Sequence, residues 1–105
     1  MKKRLATLLL LLSTCAFSAN LHYSLIKKES GKEGHTLLIV GGIHGDELEG
    51  QLVIYLLADW LNKNSEKLRG IVDLYPAVNS LGVDTITRGF PLYDVDLNRA
   101  FPGSA

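Results

Sequence analysis

The sequence contains one cysteine, Cys15, and that residue lies within an apolar N-terminal stretch. A single thiol excludes an internal disulfide frame and a zinc site built on clustered cysteines. Excess charge of one sign is missing too, because 11 Lys+Arg balance 11 Asp+Glu. Lys2, Lys3 and Arg4 hold three of those bases. Without them 8 Lys+Arg face 11 Asp+Glu, a net charge of −3. No basic stripe remains, which argues against a nucleic-acid partner. There is no internal repeat and no low-complexity tract. The apolar run of Leu5 to Ala16 is shorter than the roughly 20 residues a spanning helix needs, so no stable membrane span is expected.

What stands at the N-terminus instead is the pattern of a secretory signal peptide. Lys2-Lys3-Arg4 forms a basic start, and five consecutive leucines, Leu8 to Leu12, dominate the apolar run that follows. Small residues come next at Ala16, Ser18 and Ala19. Ala16-x-Ser18 suits cleavage before Ala19, and cleavage after Ala19 leaves residues 20–105 as the mature domain. Leu12-Ser13-Thr14-Cys15 resembles a lipoprotein box, with threonine a poor fit before the cysteine. The expectation is residues 1–19 as signal and a periplasmic or secreted protein. Cys15 leaves with the signal.

The mature stretch reads as alternating strand and helix. Leu21 to Lys28 alternates loosely and predicts an edge strand. Thr36-Leu37-Leu38-Ile39-Val40 is a continuous apolar run stopped by two glycines, the pattern of a buried strand. Leu48, Leu52, Tyr55, Leu56 and Trp60 recur at three- and four-residue steps and predict a helix over Asp46 to Asn62. Leu52 to Ala58 carries no charge, so this helix should be covered on most sides. Ile71-Val72-Asp73-Leu74-Tyr75 predicts a second strand, ended by Pro76. Strand, crossover helix and strand make a βαβ unit and a mostly parallel sheet flanked by helices. Residues 77–105 have little periodicity and read as a long functional loop.

Two short motifs carry chemistry. Gly41-Gly42-Ile43-His44-Gly45-Asp46-Glu47 closes the first apolar run, where ligands gather beyond the carboxyl ends of strands. His44 and Glu47 offer an imidazole and a carboxylate at a spacing that lets both reach one zinc ion. Asp46 either orients the histidine or is simply an acidic residue in the first turn of a helix. Asp96-Leu97-Asn98-Arg99 follows about fifty residues later. Its amide and guanidinium suit a substrate carboxylate. Arg88 offers a second guanidinium, for the charge that develops on an amide carbonyl under attack by water. His22 and His35 read as structural or solvated residues, and Asn79 as the shaper of a turn.

Together these motifs resemble the zinc carboxypeptidase superfamily, most closely its succinylglutamate desuccinylase/aspartoacylase branch. The stretches that carry the likeness are Gly42 to Glu47 and Asp96-Leu97-Asn98-Arg99-Ala100-Phe101-Pro102-Gly103. The resemblance implies an α/β sandwich around a mixed eight-stranded sheet. It makes His44 and Glu47 two of three protein ligands to Zn2+, Arg88 the residue that polarises the carbonyl, and Asn98 and Arg99 the substrate-binding pair. The implied activity is hydrolysis of the amide bond of N-acyl amino acids or carboxylate-terminated peptides. The implied partner is a small acidic amide or peptide substrate, and export favours a cell-wall peptide or other peptide among these.

The resemblance also has a departure. The family takes a third ligand from a later histidine and its general base from a later glutamate, and no residue before Ala105 matches either. The expectation is the N-terminal part of such a catalytic domain, inactive by itself, of marginal stability and with exposed apolar surface. The alternative is an exported carboxylate-binding module without catalysis.

Overall fold

A computed structural model describes residues 23–103. The expected signal segment, residues 1–19, lies outside the described residues, as does His22.

The apolar run before the double glycine forms an extended strand, and so does its later counterpart. Strand β1 is Ile26–Glu29, β2 is Thr36–Val40 and β3 is Ile71–Tyr75. They form one sheet in the order β1-β3-β2. Strand β2 runs parallel to β3, with Thr36 beside Ile71 and Val40 beside Tyr75. Strand β1 runs antiparallel on the other side, with Ile26 opposite Leu74. The sheet is therefore mixed, with one parallel and one antiparallel pair. "Mostly parallel" overstates it, because β1 enters as a strand that returns along β3.

Helix α1, Glu49–Lys63, joins β2 to β3. Glu49 in its first turn and Lys63 in its last complement the helix dipole. The helix starts three residues later than Asp46, because His44 to Leu48 forms the turn that carries the first motif. Its Ile54, Ala58 and Leu61 recur on one face and pack on Val72 and Leu74, which alternate on that side of β3. Ile26, Ile39, Leu57 and Leu68 border this small core. On the opposite sheet face Lys27 pairs with Asp73 at 3.0 Å, which raises the lysine's pKa. Among the described residues no helix is long and apolar enough to cross a membrane.

Residues after Pro76 are more structured than a loop. A second helix, α2, spans Ser80–Thr85, and a single 3-10 turn spans Leu97–Arg99. Both lie at the carboxyl ends of β2 and β3. Those two ends are laced together beyond the sheet: Gly41 N–H donates to Tyr75 O (2.7 Å), Val78 N–H to Gly41 O (2.9 Å) and Asn79 N–H to Gly42 O (3.0 Å). Gly42 has φ +64°, and a Cβ there would stand 2.8 Å from Pro76 O. Only glycine passes between the strand ends in this way.

Candidate active site

His44 follows directly from that lacing. Gly41 and Gly42 end β2, and the chain turns to present the imidazole beyond the sheet. The His44 C=O accepts from Glu47 N–H at 3.3 Å, closing the turn. This bends Glu47 back so that its Oε2 stands 3.4 Å from His44 Nδ1. The other ring nitrogen, Nε2, lies 2.8 Å from Asp96 Oδ1. A carboxylate only accepts, so the Nε2–H donates to Asp96 and, in the protonated ring, the Nδ1–H donates to Glu47; a cation that takes the place of the Nδ1 proton would meet a neutral imidazole held from behind by Asp96. A carboxylate behind the distal nitrogen is the usual means of orienting a metal-binding histidine. The His44 side chain is 10 % exposed and the Glu47 side chain 58 %.

Arg88 completes the cluster. Its Nη1 donates to Glu47 Oε1 at 3.0 Å, and its Nη2 is 4.0 Å from Asp96 Oδ2. Asp96 also accepts the Asn98 N–H at 2.9 Å, which starts the 3-10 turn. Electrostatics follow the contacts. The Asp96 hydrogen bond raises the His44 pKa above the ordinary imidazole value, helped by Glu47, against the opposing effects of desolvation and of Arg88. The His44 contact lowers the pKa of Glu47 and of Asp96, with help from Arg88 for Glu47 and from the Asn98 N–H for Asp96.

One buried side chain holds these loops in place. Asn79 is fully buried. Its Oδ1 accepts from Gly82 N–H (3.0 Å), which caps α2. Its amide donates to Ile43 O (3.2 Å) and Gly89 O (3.1 Å). It thus ties the residue before His44 to the residue after Arg88. Close packing does the same at Gly45, where a Cβ would run into the Gly82 carbonyl.

Of the residues singled out from the sequence, Glu47 contacts both His44 and Arg88. Asn98 joins His44 and Glu47 in lining a cavity of about 340 Å³. Arg99 is its neighbour on the 3-10 turn, with Nη1 3.5 Å from Asn98 O. Asp46 is exposed, and Asp96 takes the orienting role that Asp46 was a candidate for. Asp96 is the site residue that sequence reasoning missed, and Asn79, read from the sequence as the shaper of a turn, also joins the two site loops. Asp96 stands two residues before Asn98 within the second motif, which is the only local sign of it. His35 lies before β2, at the end of the strand away from His44.

His44 Nδ1 and Glu47 Oε2 converge with the right donor types, and Asp96 orients the ring from its other nitrogen, so they suit a zinc ion as two of its ligands. Among the described residues, no group of three or more His, Cys, Asp or Glu side chains is arranged to hold a metal.

Comparison with known proteins agrees with the motif pair. The family model for the succinylglutamate desuccinylase/aspartoacylase catalytic domain matches residues 33–105. An N-alpha-acetyl-L-2,4-diaminobutyric acid deacetylase of Halomonas elongata is 38% identical over 71 residues, 68% of this chain and 20% of the relative. The structure of an aspartoacylase family protein from Mesorhizobium loti superposes with a TM-score of 0.67 at 36% identity, covering 80% of this chain and 26% of that one. A succinylglutamate desuccinylase/aspartoacylase from Rhodobacter sphaeroides gives 0.58 at 44% identity, over 70% and 22% of the two chains. The product-bound ectoine utilization protein EutE of Ruegeria pomeroyi gives 0.64 at 32% identity, over 76% and 24%. The chain thus spans about a fifth to a quarter of the length of these proteins. Motifs, superposition and matched stretch converge, and the chain belongs to the succinylglutamate desuccinylase/aspartoacylase family.

Proposed function

We propose that this chain supplies the metal-binding and substrate-carboxylate half of a zinc-dependent hydrolase that cleaves the amide bond of N-acyl amino acids. The observation that carries the proposal is the aligned trio of Glu47, His44 and Asp96, with Arg88 against Glu47. Zinc, when bound, lowers the pKa of its water toward about 7 and polarises the carbonyl. His44 and Glu47 would hold it, and Asp96 keeps the imidazole in the tautomer that leaves Nδ1 free. Arg88 stabilises the negative charge that develops on the substrate carbonyl oxygen. Asn98 and Arg99 fix the substrate by its carboxylate.

The names of the relatives favour small acylated amino acids over cell-wall peptides, since one is a deacetylase of an N-acetylated amino acid. The leader-like residues 1–19 extend the proposal to a periplasmic or secreted protein. A third zinc ligand and a general base have no matching residue in this sequence, so binding rather than turnover is the property to measure. Calorimetric titration with zinc is expected to give micromolar or tighter binding that His44→Ala abolishes. Zinc-independent binding of N-acetyl amino acids, lost in Arg99→Ala, would instead identify a carboxylate-binding module.

A further inference from the structure

Glu47 serves two positively charged partners through two different oxygens. Its Oε2 faces His44 Nδ1, and its Oε1 accepts from Arg88 Nη1 at 3.0 Å. Arg88 also approaches Asp96, the carboxylate that orients His44. One guanidinium therefore leans on both carboxylates of the candidate metal site. The ion pair is open to water, with side chains 54 % and 58 % exposed, and pairs of that kind are weak.

The backbone on either side of Arg88 is pinned while its side chain is not. Thr87 N–H donates to Gly82 O at 2.9 Å, and Gly89 O accepts from buried Asn79 at 3.1 Å. Any movement of the guanidinium is then a swing of the side chain alone, from a fixed pivot. A cation at His44 and Glu47 draws on the same carboxylate charge that holds Arg88, and it repels the guanidinium directly.

We propose that Arg88 and the metal are coupled through Glu47. The guanidinium lowers the cation affinity of the site. A bound cation in turn weakens the Arg88–Glu47 pair and frees Arg88 to meet a substrate carbonyl. By linkage these are two views of one coupling free energy and must agree in size. Arg88 is thereby a positioning residue whose availability reports metal loading, in addition to its role toward substrate. The inference rests on the metal reading of His44 and Glu47 given above.

Zinc titration calorimetry on the full chain and on Arg88→Met and Arg88→Lys tests the first half. Arg88→Met is expected to bind zinc about fivefold more tightly, the low end for coupled sites because the pair is exposed. Arg88→Lys, which keeps the charge, should stay within about twofold of the parent. Nitrogen-15 NMR of the Arg88 Nε–H tests the second half, since zinc should speed its exchange with water. Equal or weaker zinc binding by Arg88→Met overturns the proposal, as does an Arg88 signal unmoved when zinc is bound. In both cases the metal reading survives. Absence of zinc binding by the parent chain overturns the metal reading and the coupling together. Far-UV circular dichroism of each variant establishes that the comparison is between folded chains.

Discussion

Asp96 Oδ1 takes the Nε2–H of His44 and the backbone N–H of Asn98, so one atom links the two motifs. Replacing the carboxylate by Ala removes the acceptor that orients the ring and the charge behind it. Losses of this kind lower metal affinity by about 10- to 100-fold, and zinc titration of Asp96→Ala should show it. The same contact has a pH signature. His44 is held above its ordinary value of 6.5, so protons compete with zinc to higher pH than at a free imidazole. Zinc affinity should keep rising as pH increases past 6.5, and Asp96→Ala should bring that rise to lower pH.

Stability follows the same groups with opposite signs. The raised His44 contributes stability below 6.5, and this is lost as pH rises through its folded value. Glu47 and Asp96 are lowered from 4.5 and 3.8, so they contribute above those values and the gain is lost as pH falls through their folded values. The contributions overlap between 4.5 and 6.5. Urea midpoints measured against pH should therefore differ most between parent and Asp96→Ala inside that window.

Helix α2 shows how a short element can be fixed by one side chain. It has six residues and depends on Asn79 for its cap. The same asparagine holds two carbonyls from loops that carry His44 and Arg88. Asn79→Ala leaves those carbonyls and the Gly82 N–H without their partner, at a cost of about 1–3 kcal/mol. Urea denaturation should show that loss, together with weaker zinc binding because the His44 loop is released. The strands were legible in sequence because Thr36–Val40 and Ile71–Tyr75 are mostly apolar runs of strand length, each closed by Gly or Pro, although Thr36–Val40 is an exposed edge strand and not the buried one its apolar run suggests. Helix α2 was not, since Gly82 interrupts it and six residues carry too little periodicity. The start of α1 was misplaced for a related reason. Asp46 and Glu47 look like first-turn acids, yet Gly45 is packed against α2 and the turn must finish before a helix can begin. The His44–Asp96 pair spans 52 residues, and no local pattern encodes a contact of that separation.

For the whole molecule, the apolar pattern of α1 exceeds what the described residues bury. Its Ile54, Ala58 and Leu61 stripe is covered, while Leu52, Val53, Tyr55, Leu56 and Trp60 are each half exposed or more. A helix apolar on most sides belongs in the middle of a larger assembly of elements. Strand β2 adds further exposed apolar area, because it stands at the edge of the sheet with Leu37 and Leu38 exposed, Leu38 on the face away from α1. Open strand edges beside apolar patches drive association of chains. Sedimentation velocity on residues 20–105 should therefore show concentration-dependent self-association. The variant Leu38→Lys with Leu56→Glu should reduce it. Mostly exposed positions contribute little to the folded state, so each change should alter stability by no more than about 0.5 kcal/mol. Ile54→Ala is the contrasting case. Ile54 is 2% exposed at the centre of a five-residue core, and its truncation should cost about 2–5 kcal/mol. That is a large share of what so small a core can supply. Ile54→Ala should broaden or abolish the urea transition, whereas Leu38→Lys with Leu56→Glu leaves the midpoint nearly in place while the sedimentation coefficient falls to that of a monomer. An equal loss of stability in both variants would mean that the outer face of α1 is part of the core, not a surface.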